Sequence, residues 1–242
     1  MTGSRQVQRA EDPLAREPGY LDVLAGLEDP GCLVCNASNR AARSYLDALL
    51  WESVNDPDLR PRLRAAHGFC REHTGLALRV ARARGAGLGI AILYEDFLRS
   101  ARAEADTTVG ALARTRSRRG RGRNADPLRP SQGCSACASA ASVARNCVGV
   151  LAKAEPDSSI GKRARLAGHG ICVPHLGDGL REVEDKEGAG RLLSLFAHVE
   201  EGLRAELREF IRKHDYRFAD EPRGGEQSSW WRAPPWIVGQ PP

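Results

Sequence analysis

The chain predicts an all-α protein: a tandem duplication of one helical unit, joined by an arginine-rich linker. Three observations carry that prediction. A cysteine and histidine pattern occurs twice at a fixed offset, and apolar residues recur at three- and four-residue spacing. The apolar/polar alternation expected of half-buried strands is weak throughout.

The first copy of the pattern is Cys32-Leu33-Val34-Cys35, then thirty-four residues, then Cys70-Arg71-Glu72-His73. The second is Cys134-Ser135-Ala136-Cys137, the same gap, then Cys172-Val173-Pro174-His175. Each residue of the second set lies 102 positions after its counterpart, and six of the seven cysteines are used. Two sulfurs on one tight turn reach a single ion, as do a cysteine and a histidine on the first turn of a helix. Thiolate with imidazole is the donor set that suits zinc. Three thiolates and one imidazole fill a tetrahedral shell and leave no position for substrate, which points to structure before chemistry.

The expectation is therefore two zinc ions per chain, one inside each copy. Cys32, Cys35, Cys70 and His73 would hold the first, and Cys134, Cys137, Cys172 and His175 the second. The thirty-four intervening residues would fold as a helical hairpin that brings each copy's two motifs together. An iron–sulfur cluster is the alternative, since imidazole replaces cysteine in some such centres. A metal-free thiol switch is a third reading. Neither Cys-x2-Cys is followed by histidine, which argues against covalent haem attachment.

The elements follow in order. Residues 1–19 read as a disordered tail. The first metal-binding repeat spans 20–106. It opens with a short helix over Tyr20–Leu27, stopped before Asp29-Pro30-Gly31, whose turn presents the first cysteine pair. In Asn36–Val54, Ala42, Tyr45, Leu46, Leu49 and Leu50 share one helix face. Asn55-Asp56-Pro57 breaks that helix and Asp58–Ala66 forms the next. Gly68 suits the position just past a helix end. Helices then run from Cys70 to Arg84 and, after Gly85-Ala86-Gly87, to about Asp106.

The second repeat, 132–216, follows the same plan. Its helices cover Ala138–Ala154, a segment to about Ala167, one with Pro174 in its first turn, and Arg191–His214. Residues 107–131 form the linker, with seven arginines between Arg114 and Arg129. A tail rich in tryptophan and proline, 217–242, carries Trp230, Trp231 and Trp236.

His67 and His169 also repeat, three residues before Cys70 and Cys172. Each reads as a helix cap or as a donor to a cysteine sulfur rather than as a ligand, because four ligands already complete the shell. Cys147, at the position matching Tyr45, reads as a buried inert thiol.

Composition narrows the function. The formal net charge is +5, and only four of the thirty-six basic residues are lysine, so the basicity reads as compositional bias. No apolar run approaches the roughly 20 residues that span a bilayer, and the N-terminus has no signal-peptide core. A reducing cytoplasm is the expected location, and spaced cysteines there read as ligands rather than disulfides. The nucleotide-binding glycine loops, the Gly-x-Ser-x-Gly elbow and His-Glu-x-x-His are all missing, so no enzyme activity is expected.

With Gly-Phe-Cys-Arg-Glu-His and Gly-Ile-Cys-Val-Pro-His at its second motifs, the chain resembles a bacterial family of unknown function with duplicated Cys-x2-Cys and Cys-x2-His motifs. The resemblance covers residues 20–214 and implies metal binding at the eight positions named. The expected function is a non-enzymatic zinc protein whose repeats present protein-interaction surfaces, with the tryptophan tail as the contact. That tail reads equally as a docking peptide and as a cover for the chain's own groove. One alternative is a nucleic-acid-binding regulator acting through Arg114–Arg129, where phosphate contacts would be sequence-independent and salt-sensitive. The other is an iron–sulfur redox or sensor protein.

Overall fold

The structure is a computed structural model that describes residues 12–115, 128–166, 168–218 and 220–242, the side chains of 111–115 excepted. It is all-α. The helices are α1 (Tyr20–Gly26), α2 (Leu33–Glu52), α3 (Leu59–Ala65), α4 (Arg71–Arg84) and α5 (Gly87–Thr115), then α6 (Ser135–Lys153), α7 (Ser159–Ala164), α8 (Val173–Glu182) and α9 (Lys186–Lys213). Two short ones, α10 (Ser229–Arg232) and α11 (Pro234–Val238), close the chain. Among the described residues the strands are two-residue pieces, β1 (Gly31–Cys32) and β2 (His169–Gly170), which pair in parallel.

The chain divides into two compact units that do not coincide with the sequence copies. One unit takes the residues up to Arg40 together with Ala140–Pro241, and the other takes Ala41–Ser139 with Pro242. The boundaries fall inside α2 and α6.

Of the tail expected to be disordered, residues 1–11 lie outside the described residues, and residues 12–19 are structured in the first unit. Asp12 caps a 3-10 turn over Pro13–Arg16 by accepting from the Leu14 amide at 3.0 Å, and Leu14 is buried. The cap and the buried leucine both tie this segment to the unit. Gly19 then starts α1 at φ 87°, a conformation that favours glycine. A side chain there would also meet the backbone of Asn146 at 2.7 Å.

The core of this unit gathers Val23 from α1, Leu33 and Val34 from α2, Val148 and Leu151 from α6, and Leu192 from α9. Helix α9 begins five residues before the expected Arg191, because the Asp185 side chain accepts from the Gly188 amide at 2.6 Å and caps it there. The tail folds back on this unit. Arg212 pairs with Glu209 and Glu221, Lys213 reaches Glu226 at 3.1 Å, and Trp236 packs against the core.

In the second unit the predicted face of α2 is buried at Ala42, Leu46, Leu49 and Leu50, with Tyr45 half-buried. Leu63 of α3, Leu76 of α4 and Leu93 of α5 complete the core. Helix α4 ends at Gly85, φ 67°, where the Ala86 amide donates to the Ala81 carbonyl at 2.8 Å. Helix α5 continues past Asp106 to Thr115, into the stretch expected to be linker. Arg102 holds Asp106 at 2.9 Å, one turn on, and no proline interrupts Val-Gly-Ala-Leu-Ala. The rest of the arginine-rich stretch, 116–127, lies outside the described residues.

Asp96, on α5, is buried and takes charge-assisted bonds from Arg60 (3.3 Å), Arg64 (2.8 Å) and Arg99 (2.9 Å). Burial alone would raise its pKa. The three arginines outweigh that and hold its carboxyl below the usual carboxylate range.

Candidate metal centres

All eight predicted ligands gather into two clusters, but not in the pairing expected. The clusters are Cys32, Cys35, Cys172 and His175, and Cys70, His73, Cys134 and Cys137. Each takes its Cys-x2-Cys from one sequence copy and its Cys-x2-His from the other. The expectation of one site inside each copy is therefore overturned. The arrangement is nested, an inner site between residues 70 and 137 and an outer site between residues 32 and 175. Each site lies within a single unit.

Local structure explains the outer pairing. Cys32 ends β1, and Cys35 sits in the first turn of α2. Cys172 caps α8 in extended conformation, with His175 in the turn that follows. The β1–β2 bridge pairs Cys32 with Gly170, two residues before Cys172. The Gly31 amide also donates to the Gly168 carbonyl at 2.6 Å. Gly170 has no room for a side chain, since a Cβ would meet Val199 at 2.4 Å and the Leu195 carbonyl at 3.0 Å, both on α9. At the inner site Cys70 caps α4, and the Ser131 and Gln132 amides donate to the Ala65 carbonyl at 2.9 and 3.1 Å, drawing the second Cys-x2-Cys alongside.

The donor geometry fits a tetrahedral ion. With metal–sulfur bonds of about 2.3 Å and metal–nitrogen bonds of about 2.05 Å, tetrahedral edges are about 3.8 Å between sulfurs and about 3.5 Å from sulfur to nitrogen. In the outer cluster Cys35 Sγ lies 3.7 Å from Cys172 Sγ. His175 Nδ1 lies 3.6, 3.4 and 3.3 Å from the sulfurs of Cys32, Cys35 and Cys172. In the inner cluster Cys70 Sγ is 3.7 Å from Cys137 Sγ. There His73 Nδ1 is 3.3, 3.7 and 3.2 Å from the sulfurs of Cys70, Cys134 and Cys137. Each cluster would hold one ion through three sulfurs and one nitrogen.

The surroundings of the two clusters differ. At the outer site Cys32, Cys35 and Cys172 are 1%, 3% and 0% exposed. Three amides point at its sulfurs. Those of Cys35 and Cys172 donate to Cys32 Sγ at 3.5 and 3.3 Å, and that of Gln240 donates to Cys35 Sγ at 3.4 Å. The Asn39 side chain donates to the Pro241 carbonyl at 3.0 Å and anchors the terminal residues over the site. At the inner site His73 is buried, Cys70 and Cys134 are half-buried, and Cys137 is exposed.

Thiols are pushed upward at both sites, and at the inner one burial, then the neighbouring Cys134 and Cys70, raise Cys137 to about 12. Burial would raise Cys32, but hydrogen bonds from Cys172, Cys35 and His175 hold its thiol well below the ordinary value. Contact with Cys172 and Cys32, then burial, drives Cys35 upward. Burial would lower His175, and the neighbouring sulfurs of Cys172 and Cys32 overcome it, raising the ring to about 10. His73 is lowered by burial, with Glu72 opposing.

The bystanders are placed as well. The His67 ring bonds Glu104 at 2.9 Å and that of His169 meets the Leu27 carbonyl at 3.2 Å, so neither belongs to a cluster. Cys147 is fully buried in the core, and burial pushes its thiol up to about 12. Nothing in the sequence marked Gln240, 205 residues from the sulfur it meets. A cleft of about 510 Å³, lined by Cys32, His198, Leu203, Trp231 and Trp236 among others, opens beside the outer site. Trp230 and Trp231 remain 56% and 54% exposed.

Fold and site together define an all-α protein with two possible Cys3His metal centres. The chain belongs to the family of unknown function DUF6062, which matches residues 22–242. It is 38% identical over 78 residues to the "Uncharacterized 23.9 kDa protein in xynA 3'region" of Caldicellulosiruptor sp. (strain Rt8B.4). That alignment covers 32% of this chain and only 36% of the relative's length. No solved structure matches the chain.

Proposed function

We propose that this is a non-enzymatic zinc-binding protein whose two Cys3His centres stabilise helical units that present a protein-interaction surface. The observation that carries the reading is the donor spacing. Four protein ligands at tetrahedral distances leave no open coordination position, so the ion acts on folding rather than on a substrate. Three thiolates with one imidazole favour zinc over magnesium or calcium. The interaction surface is the exposed pair Trp230 and Trp231 with the cleft beside them, since exposed tryptophans next to a concave apolar surface are enriched at binding hot spots. A reducing cytoplasm, which keeps the thiols available to metal, fits the six ligand cysteines. No helix among the described residues is long and apolar enough to cross a membrane.

Metal analysis of anaerobically purified protein, with a visible spectrum on the same sample, tests the reading. About two zinc per chain and no colour support it. Iron with sulfide and a brown chromophore overturns it in favour of a redox or sensor role. Replacing Trp230 and Trp231 by alanine should leave metal content unchanged and abolish capture of whatever partner the intact chain retains.

A further inference from the structure

The two centres share donor types and spacing, yet they differ in access. Each holds a sulfur pair 3.7 Å apart. In the outer site that pair, Cys35 and Cys172, is buried, and the Gln240 amide covers Cys35. In the inner site one member of the pair, Cys137, is open to solvent, and its partner Cys70 is half-buried. Among the described residues no backbone amide donates to an inner-site sulfur. Amide donors withdraw charge from a metal-bound thiolate and make it less nucleophilic, and burial keeps reagents away. Both effects protect the outer site and leave the inner one open.

We propose that the inner centre, Cys70, His73, Cys134 and Cys137, is a reactive thiolate site that gives up its ion to peroxides and other soft electrophiles, while the outer centre is permanent. The proposal rests on the zinc-binding reading above. With a peroxide the chemistry is a two-electron oxidation. The Cys137 thiolate attacks one peroxide oxygen, an S–O bond forms, the O–O bond breaks, and the leaving oxygen takes a proton and departs as water. The Cys70 thiolate then attacks the Cys137 sulfur, an S–S bond forms, and the second oxygen leaves as water with another proton. Two sulfurs have been oxidised and one peroxide reduced to two waters. Two of the four donors are lost, and the ion leaves.

The experiment uses the full chain loaded with zinc, treated with hydrogen peroxide in the presence of a zinc-responsive dye. Mass spectrometry of alkylated peptides then identifies the modified cysteines. One ion should leave at least about tenfold faster than the other, with the early modification confined to Cys70, Cys134 and Cys137. Iodoacetamide in place of peroxide should label Cys137 first. Release of both ions at one rate, or early modification at Cys32, Cys35 or Cys172, would overturn the proposal. The starting metal content reports separately on the zinc-binding reading. A chain that carries no zinc sinks that reading, whereas two zinc ions lost together sink only this one.

Discussion

Paired cysteine replacements separate the nested arrangement from one in which each copy holds its own ion. Cys35→Ser alone removes one donor of the outer cluster and should cost the chain one of its two ions. Adding Cys172→Ser removes a second donor from the same cluster, so Cys35→Ser/Cys172→Ser still retains one ion. Adding Cys70→Ser instead disables the inner cluster, so Cys35→Ser/Cys70→Ser retains none. Side-by-side pairing predicts the reverse for both doubles. The energies should follow the counts. A structural zinc contributes about 10–16 kcal/mol of apparent binding energy in small peptides, so even a fraction of that is a large term for one domain. Cys35 and Cys172 draw on one ion, and their coupling energy should reach several kcal/mol. Cys35 and Cys70 share no partner, and their effects on stability should add within about 0.5 kcal/mol. Metal analysis gives the counts and denaturant unfolding gives the energies. A Cys35→Ser/Cys70→Ser chain that kept one ion would refute the nested assignment.

Three further outcomes are expected. Cys147→Ser should leave both ions in place, while a hydroxyl in that apolar core costs about 1–2 kcal/mol in denaturant unfolding. Gly170→Ala forces a methyl group against Val199 and Leu195. It should cost about 1–3 kcal/mol and speed chelator removal of the outer ion only, read as release kinetics against intact protein. Asp96→Asn leaves three arginines without their buried charge, a loss of about 1–2 kcal/mol at neutral pH because water still solvates much of Arg64 and Arg99. Because the folded-state pKa of Asp96 is depressed, its contribution is complete above the unfolded value near about 3.9 and disappears as pH falls through the lower folded value. Unfolding curves of the two proteins should therefore converge in acid, and a gap that persisted at low pH would assign the loss to packing.

The helices were legible because their signals are local. Leu46, Leu49 and Leu50 sit on one face, Gly85 stops α4, and Pro174 opens α8, each within a turn or two of the feature it explains. The eight residues that gather into the two clusters were legible for the same reason, since each motif fits on one turn. Their pairing was not legible. Joining Cys35 to Cys172 closes 137 residues, and joining Cys70 to Cys137 closes 67. Pairing inside each copy would close far shorter loops. Loop closure grows only logarithmically, so the local alternative is favoured by a total of about 2 kcal/mol. Packing at Gly170 and the β1–β2 bridge outweighs that, and neither has a sequence signal of comparable range. The Asp12 cap was missed because one buried leucine does not make a periodic pattern, and the Gln240 amide because it carries no side-chain identity at all.

Nesting would make each bound ion a rivet between the two halves of the sequence. A cut in the arginine-rich stretch would leave fragments that each own two ligands of both sites, so the nicked protein should stay joined until its metal is withdrawn. The same logic reaches a chain half as long. One copy by itself carries a cysteine pair and a cysteine–histidine pair that belong to different shells. It would satisfy them by meeting a second molecule, each lending its knuckle to the other. The product would be a two-fold dimer with both ions at its interface.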